Sequence, residues 1–355
     1  RITAWREITR LTTTGENREL ESELRKLYHY DGEDTCATDG LCEMNCPVDI
    51  DTGKLIKQLR FEQHSSFENS IANWCESNFA LASKLARLGL AAANITHKVV
   101  GSDVLAGLSR IIRKVSGNQI PQWNQHFPKP APSIDWKYEA KTNLSKVVYF
   151  PSCICRMMGP SEGSYTSHAE AVHKVLNRAG YQYIHPEGIE GMCCGVAFDS
   201  KGFPNQAKRK TEELKEALLK ASNNGEYPIL CETSPCVQRL NQELSELPIY
   251  DPVSFAGEFL IDQLELQQLE ETVVIHPTCS NRKAGHVAKM QAIAEKCSKE
   301  VVLPHTVSCC GTAGDRGIFH PELPEKALNS LQSQIPKNCS LGISNSRTCE
   351  LGLSM

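Results

Sequence analysis

A Cys-Cys-Gly triplet occurs twice, and each occurrence is set in the same longer pattern. Cys193-Cys194-Gly195 follows Val147-Val-Tyr-Phe-Pro-Ser-Cys153 and precedes Thr233-Ser-Pro-Cys236. Cys309-Cys310-Gly311 follows Val273-Val-Ile-His-Pro-Thr-Cys279 and precedes Ser346-Arg-Thr-Cys349. From Cys153 to Cys279 is 126 positions, from Cys193 to Cys309 is 116, and from Cys236 to Cys349 is 113. Landmarks that keep their order with small length changes mark an internal duplication. Each copy holds one cysteine, an adjacent pair and one more, and four thiolates are what an iron–sulfur cluster or a zinc ion requires.

The chain has 355 residues, 16 of them cysteine, and a normal apolar fraction of 40%. A core of that size needs no disulfide staples, adjacent cysteines do not readily pair, and the cysteines cluster at motif spacings. A reduced, cytoplasmic, metal-binding protein is the expectation. Net charge is −4, which does not suit nucleic-acid binding. No stretch approaches 18 uninterrupted apolar residues, so no span is expected. The N-terminus, Arg-Ile-Thr-Ala-Trp-Arg-Glu, is charged, unlike a signal peptide, and has no starting Met; it reads as part of a longer or processed chain.

Hydrophobic periodicity divides the chain into four parts. Residues 1–75 read as short helices carrying a first cysteine run, and residues 76–145 as a helical region followed by a linker with Pro121, Pro128, Pro130 and Pro132. Residues 146–270 and 271–355 are the two repeats, where β-branched runs (147–150, 181–184 and 227–230; then 273–275, 300–303 and 341–343) alternate with helical patterns. Such alternation implies an α/β fold with parallel sheets, in which ligands sit beyond the carboxyl ends of strands. Cys153, Cys236, Cys279 and Cys349 fall there, and the doublets lie in loops a few residues after strands.

The first run, Cys36-Ala-Thr-Asp39-Gly-Leu-Cys42-Glu-Met-Asn-Cys46-Pro47, fits the bacterial ferredoxin spacing with Asp39 at the second cysteine position. It is expected to bind a 4Fe–4S cluster through Cys36, Cys42 and Cys46, with Asp39 as an oxygen ligand. Each repeat is expected to bind a 4Fe–4S cluster or zinc, through Cys153, Cys193, Cys194 and Cys236 in the first and Cys279, Cys309, Cys310 and Cys349 in the second. Cys155, Cys231 and Cys339 stand near enough in sequence to substitute. His185, His276 and His305 flank these positions, and Asp315 and Arg316 follow the second doublet as a candidate ion pair. Residues 79–116 carry six Lys or Arg against Asp103; the segment could rest on an anionic membrane, or be a helical hairpin packed on the first unit. No Ser-His-Asp order, P-loop or strand-borne GxGxxG is present, so no catalytic residues are assigned.

The repeated pattern resembles the cysteine-rich domain of the heterodisulfide reductase B subunit, the glycolate oxidase iron–sulfur subunit and the lactate utilisation proteins. There its full form is C…CCG…CxxC; here Thr233 and Ser346 replace the fourth cysteine. Asp34-Thr-Cys-Ala-Thr-Asp-Gly-Leu-Cys, Cys46-Pro-Val-Asp-Ile-Asp-Thr-Gly, Ser200-Lys-Gly, Cys309-Cys-Gly-Thr-Ala-Gly-Asp-Arg-Gly and Arg347-Thr-Cys-Glu-Leu-Gly-Leu are similar to the C-terminal half of FAD-linked D-lactate dehydrogenases of the D-2-hydroxyacid oxidase group. That resemblance implies an FAD domain and a partner ferredoxin run upstream of Arg1, and electron transfer from reduced flavin to a quinone or cytochrome. A heterodisulfide-reductase-like catalytic cluster and a structural zinc module are the rival readings.

Overall fold

The computed structural model describes residues 1–116, 120–134, 144–160 and 166–354. Parts of the expected linker, 117–119 and 135–143, lie outside the described residues. A helical unit comes first: α1 (Ile2–Thr14), α2 (Arg18–Tyr28), a π-helical turn (His29–Asp34), α3 (Leu41–Met44), α4 (Thr52–Gln63) and α5 (Ser66–Ser77). Ile8, Tyr28, Cys36, Ile56 and Leu59 form its buried core. Apolar residues 56 and 59 are one helical turn apart, which is why α4 presents a single buried stripe. Asp51 caps α4 by accepting from the Gly53 amide, and Ser65 with Glu68 forms a capping box on α5.

Helices α6 (Phe79–Val100) and α7 (Ser102–Val115) follow, joined at Gly101. Neither contains a fully buried residue, and Leu85, Leu88, Ile95, Val99, Leu108, Ile111 and Val115 are exposed. Helix α6 lies against the first repeat, not chiefly against the N-terminal unit as the hairpin reading expects. Phe79 meets Phe198 and Lys84 reaches Glu190 at 3.7 Å, while Arg87 Nη2 donates to the carbonyl of Ala131 in the linker at 2.8 Å. No helix among the described residues is long and apolar enough to cross a membrane.

The first repeat runs β1 (Ser145–Tyr149), α8 (Cys153–Met157), α9 (His168–Arg178), β2 (Tyr181–Ile184), α10 (Val196–Ser200), α11 (Pro204–Ala221), β3 (Ile229–Leu230), α12 (Ser234–Glu243), β4 (Ile249–Tyr250) and α13 (Pro252–Phe255). The second runs β5 (Leu269–His276), α14 (Cys279–Lys283), α15 (Val287–Cys297), β6 (Ser298–Val302), α16 (Arg316–Phe319), α17 (Glu322–Leu328), β7 (Leu341–Ser344) and α18 (Arg347–Ser354). Both sheets are wholly parallel, in the orders β2-β1-β3-β4 and β6-β5-β7. The first strand of each copy is therefore central, flanked by the second and third. Val148 pairs with Ile184 and Ile229, and Val274, 126 positions on, pairs with Val302 and Gly342. The α/β class with parallel sheets read from the sequence is the fold observed. Helices cover both faces of the first sheet: Val148, Phe150, Leu214 and Leu240 pack in one cluster and Val147, Tyr149, Leu176 and Phe255 in another, as alternation along β1 requires.

Candidate metal centres

The local sequence repeats the same construction twice at the carboxyl edge of each sheet. Ser152 caps α8 and Thr278 caps α14, each through its side chain, so Cys153 and Cys279 are the first residues of their helices. Cys236 and Cys349 are each the third residue of a helix that follows a strand, α12 and α18. All four thiols thus sit in first turns, where free amides and the helix dipole favour negative charge. The doublets arrive on loops that turn at Gly195 (φ 84°) and Gly311 (φ 74°). The Gly195 amide donates to Cys193 Sγ at 3.4 Å, and the Gly311 amide to Cys309 Sγ at 3.3 Å. Glycine is required for a second reason besides φ. A Cβ on Gly195 would stand 2.5 Å from the Ala207 carbonyl oxygen, and one on Gly311 would stand 2.6 Å from Pro324 Cα.

In the first repeat the thiols form a row. Cys153 meets Cys193, Cys193 meets Cys194, and Cys194 Sγ lies 2.9 Å from Cys236 Sγ. Cys231, fully buried, adjoins Cys236. In the second repeat Cys310 contacts Cys309 on one side and Cys349 on the other. A ring nitrogen of His276 lies within 4.8 Å of the Cys310 and Cys349 sulfurs, and buried His276 Nε2 has no hydrogen-bond partner. The electrostatics repeat as well. Hydrogen bonds with Cys193 and Cys236 pull the Cys194 pKa down to about 6 against its burial. Cys310 accepts from Cys309 and Cys349 and is likewise held low. Their partners go the other way: Cys236 and Cys349 are pushed well up, first by the hydrogen bonds with Cys194 and Cys310, for Cys236 also by that with Cys231, and then by burial. All sixteen cysteines are free of disulfides.

The N-terminal run is arranged differently. Cys36 is buried in the helical core, where Arg60 Nη2 donates to its carbonyl at 3.0 Å. Cys42 is exposed, its Sγ 3.3 Å from Thr52 Oγ1, and Cys46 is half-buried. The three are not gathered within 4.8 Å as the repeat-two trio is. Asp39 turns out of this loop towards the second repeat: its carboxyl accepts from the Leu41 amide at 3.2 Å and hydrogen-bonds the Cys309 thiol. Burial, above all, raises its pKa, helped by the charge of Asp51. Its own charge, after burial, helps push Cys279 up to about 12. Sequence spacing assigned Asp39 to its own loop; the contact with Cys309 spans 270 positions and has no local signal.

That contact belongs to a docked interface. Lys283 of α14 pairs with Glu43 of α3 at 2.9 Å, and the Lys283 ammonium passes against Gly40, where a Cβ would be 2.3 Å away. Arg316 reaches Asp34 at 3.5 Å and Lys201 reaches Asp315 at 2.5 Å. Asp315 and Arg316, expected to pair with each other, instead tie other segments to the second repeat. The N-terminal unit also grips the first repeat: Lys57 pairs with Asp199 at 2.7 Å, and His64 stacks on Phe203 at 3.9 Å. Gly202 passes so close to α4 that a Cβ would be 2.6 Å from Arg60 Cβ.

Other expected residues lie elsewhere. Cys339 Sγ donates to the Thr272 carbonyl at 3.2 Å, before β7 and away from the doublet. The His305 amide donates to Gln334, and its segment is exposed. His185 packs with His173, Tyr149 and Tyr183. Cys155, second cysteine of α8, faces Glu232 and Thr233.

The family described as "Cysteine-rich domain" (CCG) matches residues 147–241 and 273–354, once on each repeat. Among individual proteins the chain is similar to the C subunit of the anaerobic glycerol-3-phosphate dehydrogenase of Escherichia coli, in strains K12 and O157:H7. Identity to each is 24% over 227 residues, covering 59% of this chain and 55% of the relative. The chain thus spans about half the length of these relatives.

Proposed function

We propose that the chain is the iron–sulfur electron-transfer module of a dehydrogenase. What supports this reading is that motif thiols adjoin one another pairwise at both sheet edges, on loops and helix starts built the same way twice, with the N-terminal cysteine loop lying against the second. The ligands proposed are Cys153, Cys193, Cys194 and Cys236 in one centre, and Cys279, Cys309, Cys310 and Cys349 in the other. The donor set fits the group: four sulfurs in helix first turns or on the doublet loops, whose protons a metal displaces as it binds. Bound there, a 4Fe–4S cluster supplies one-electron chemistry at a potential tuned by burial and by hydrogen bonds to sulfur.

The protein's own residues then do three things. The Gly195 and Gly311 amides each direct a hydrogen bond to a doublet sulfur, which favours the more electron-rich state. Burial of Cys194, Cys236, Cys310 and Cys349 keeps water from the sulfurs. The Lys283–Glu43 pair holds the Cys36–Cys46 loop against the second repeat, so that loop, with Cys36, Cys42 and Cys46 as ligands, is the proposed neighbour in the relay. Asp39, at the seam, is proposed as the oxygen donor, to its own loop or to the second repeat's centre.

The dehydrogenase is proposed to be FAD-linked and to act on a D-2-hydroxyacid such as D-lactate, with the flavin on a separate domain and a quinone or cytochrome as acceptor. The resemblance of the Asp34–Cys42, Cys309–Gly317 and Arg347–Leu353 segments supports this. Glycerol 3-phosphate, named in the relatives, offers the same chemistry: a secondary alcohol losing two electrons and two protons on a partner, the electrons leaving one at a time here. The exposed apolar side chains of α6 and α7 are the proposed contact for the flavin domain or for the cytoplasmic membrane face.

The test uses the chain loaded with iron and sulfide under anaerobic conditions. Photoreduced flavin should bleach its visible absorption, and a soluble quinone should restore it. Cys194→Ser and Cys310→Ser should each remove part of the reversible bleaching. Bleaching that is absent, or unchanged in both variants, contradicts the assignment.

A further inference from the structure

A second type of site lies beside the first repeat's thiol row. Cys155 Sγ, a ring nitrogen of His168 and a carboxylate oxygen of Glu232 all lie within 4.8 Å of one another. Three different segments bring them together: α8, the first residue of α9, and the three-residue loop between β3 and α12. Glu232 is 2% exposed. Its Oε1 is fixed by the Ser152 amide at 2.8 Å and the Ser152 hydroxyl at 3.2 Å, while buried Oε2 has no hydrogen-bond partner. A buried carboxylate oxygen left without a donor is costly, and the usual remedies are a proton or a cation. The ion pairs among the described residues do not include Glu232.

We propose that Cys155, His168 and Glu232 bind one divalent cation of the zinc class, separately from the cysteines of the repeated motif. The donor set is one that zinc accepts: thiolate, imidazole and carboxylate, with ligand atoms about 3–4 Å apart around a tetrahedral ion. The present spacing closes to that with small side-chain movement. Charge balances, since two negative ligands neutralise the dication, and binding releases the Cys155 thiol proton. His168 is exposed, leaving the fourth position to water. Surroundings support the ligands: Ser152 Oγ lies 2.8 Å from Thr233 Oγ1, which lies 4.0 Å from Cys155 Sγ. Thr233 stands where the full motif has its further cysteine, so Cys155 faces a hydroxyl there. The cation would clasp the start of α9 to the end of β3.

The proposal does not depend on electron transfer. The full chain, prepared anaerobically and stripped with chelator, is titrated with Zn²⁺ alone and with Co²⁺ alone. His168→Ala, Glu232→Gln and Cys155→Ser should each lose one zinc equivalent per chain, with Kd weakened by at least about 100-fold, the upper end of what losing an outer hydrogen bond does. The Co²⁺ thiolate band of that equivalent should vanish in Cys155→Ser and shift in His168→Ala. His168 is exposed, so its variant should keep the wild-type circular dichroism and melting curve and decides the case if Glu232→Gln folds poorly. Unchanged zinc stoichiometry and affinity in folded His168→Ala overturns the site. So does loss confined to Cys155→Ser, which would make Cys155 a member of the thiol row.

Discussion

The glycine of each Cys-Cys-Gly is explained by two separate requirements, and substitution can measure both. Gly195 has φ 84°, and a Cβ there would meet the Ala207 carbonyl oxygen at 2.5 Å and Thr211 Oγ1 at 3.0 Å. Forcing an L-residue into left-handed backbone costs about 1–2 kcal/mol. Pushing a methyl into a packed helix face adds about 1–3 kcal/mol, because α11 backbone cannot give way as a flexible side chain would. Gly195→Ala should therefore lose about 2–5 kcal/mol. Gly285 supplies the control, with φ 72° and nothing within 4 Å of its Cβ position. Gly285→Ala should lose only the conformational part, about 1–2 kcal/mol. Urea unfolding of both variants, followed by far-ultraviolet circular dichroism under reducing conditions, gives the two values. Equal losses would refute the steric half of the reasoning, and a loss below about 0.5 kcal/mol at Gly195, the scale of an ordinary surface change, would refute both.

The His173–His185 pair should make the fold acid-sensitive. His185 Nδ1 donates to the Tyr149 carbonyl at 2.8 Å, so its Nε2 accepts from His173 Nε2 at 3.1 Å. Burial chiefly, and for His173 the other ring as well, lowers both pKa values to about 4. Between the ordinary value of 6.5 and 4 the unfolded chain binds protons that the folded chain refuses, so stability should fall as pH drops through that window and be level above it. A urea series from about pH 7.5 to about pH 5 checks this, and His173→Leu should flatten the slope; a level wild-type profile counts against the neutral pair. Lys283→Met should cost at most about 1 kcal/mol of stability, yet speed proteolysis of the Cys36–Cys46 loop, and an unchanged cleavage rate would argue against the clamp. In the iron-loaded chain Asp39→Ala should alter the paramagnetic spectrum of a reduced centre without touching that of the first repeat; identical spectra would remove Asp39 from the metal environment.

The parallel α/β repeats were legible because each strand is a short β-branched run and the duplication let one copy support the reading of the other. Val148 and Val274 occupy the same register, as their sequence offset implies. Strand β4 was missed since Ile249–Tyr250 is two residues long and carries no periodicity. The thiol sets were legible from spacing, because a cysteine just after a strand is carried to the same sheet edge. What spacing could not carry was contact across the chain. Asp39 looked like a loop ligand, and only the folding of Gly40 under Lys283 reveals Cys309 as its neighbour. Asp315 and Arg316 looked like a local pair for the same reason. The basic residues of α6 and α7 were visible, but not the exposed apolar side chains between them, whose burial depends on what lies opposite. Cys155, His168 and Glu232 lie on separate elements with no common spacing.

The most direct test of the central claim is the content of iron, acid-labile sulfide and zinc per chain after strictly anaerobic purification. An iron–sulfur relay predicts iron and sulfide in equal amounts at about four or more per chain, falling when Cys194 or Cys310 is replaced by serine. Zinc in place of iron, with little sulfide, would make the repeats structural zinc sites and contradict the electron-transfer assignment.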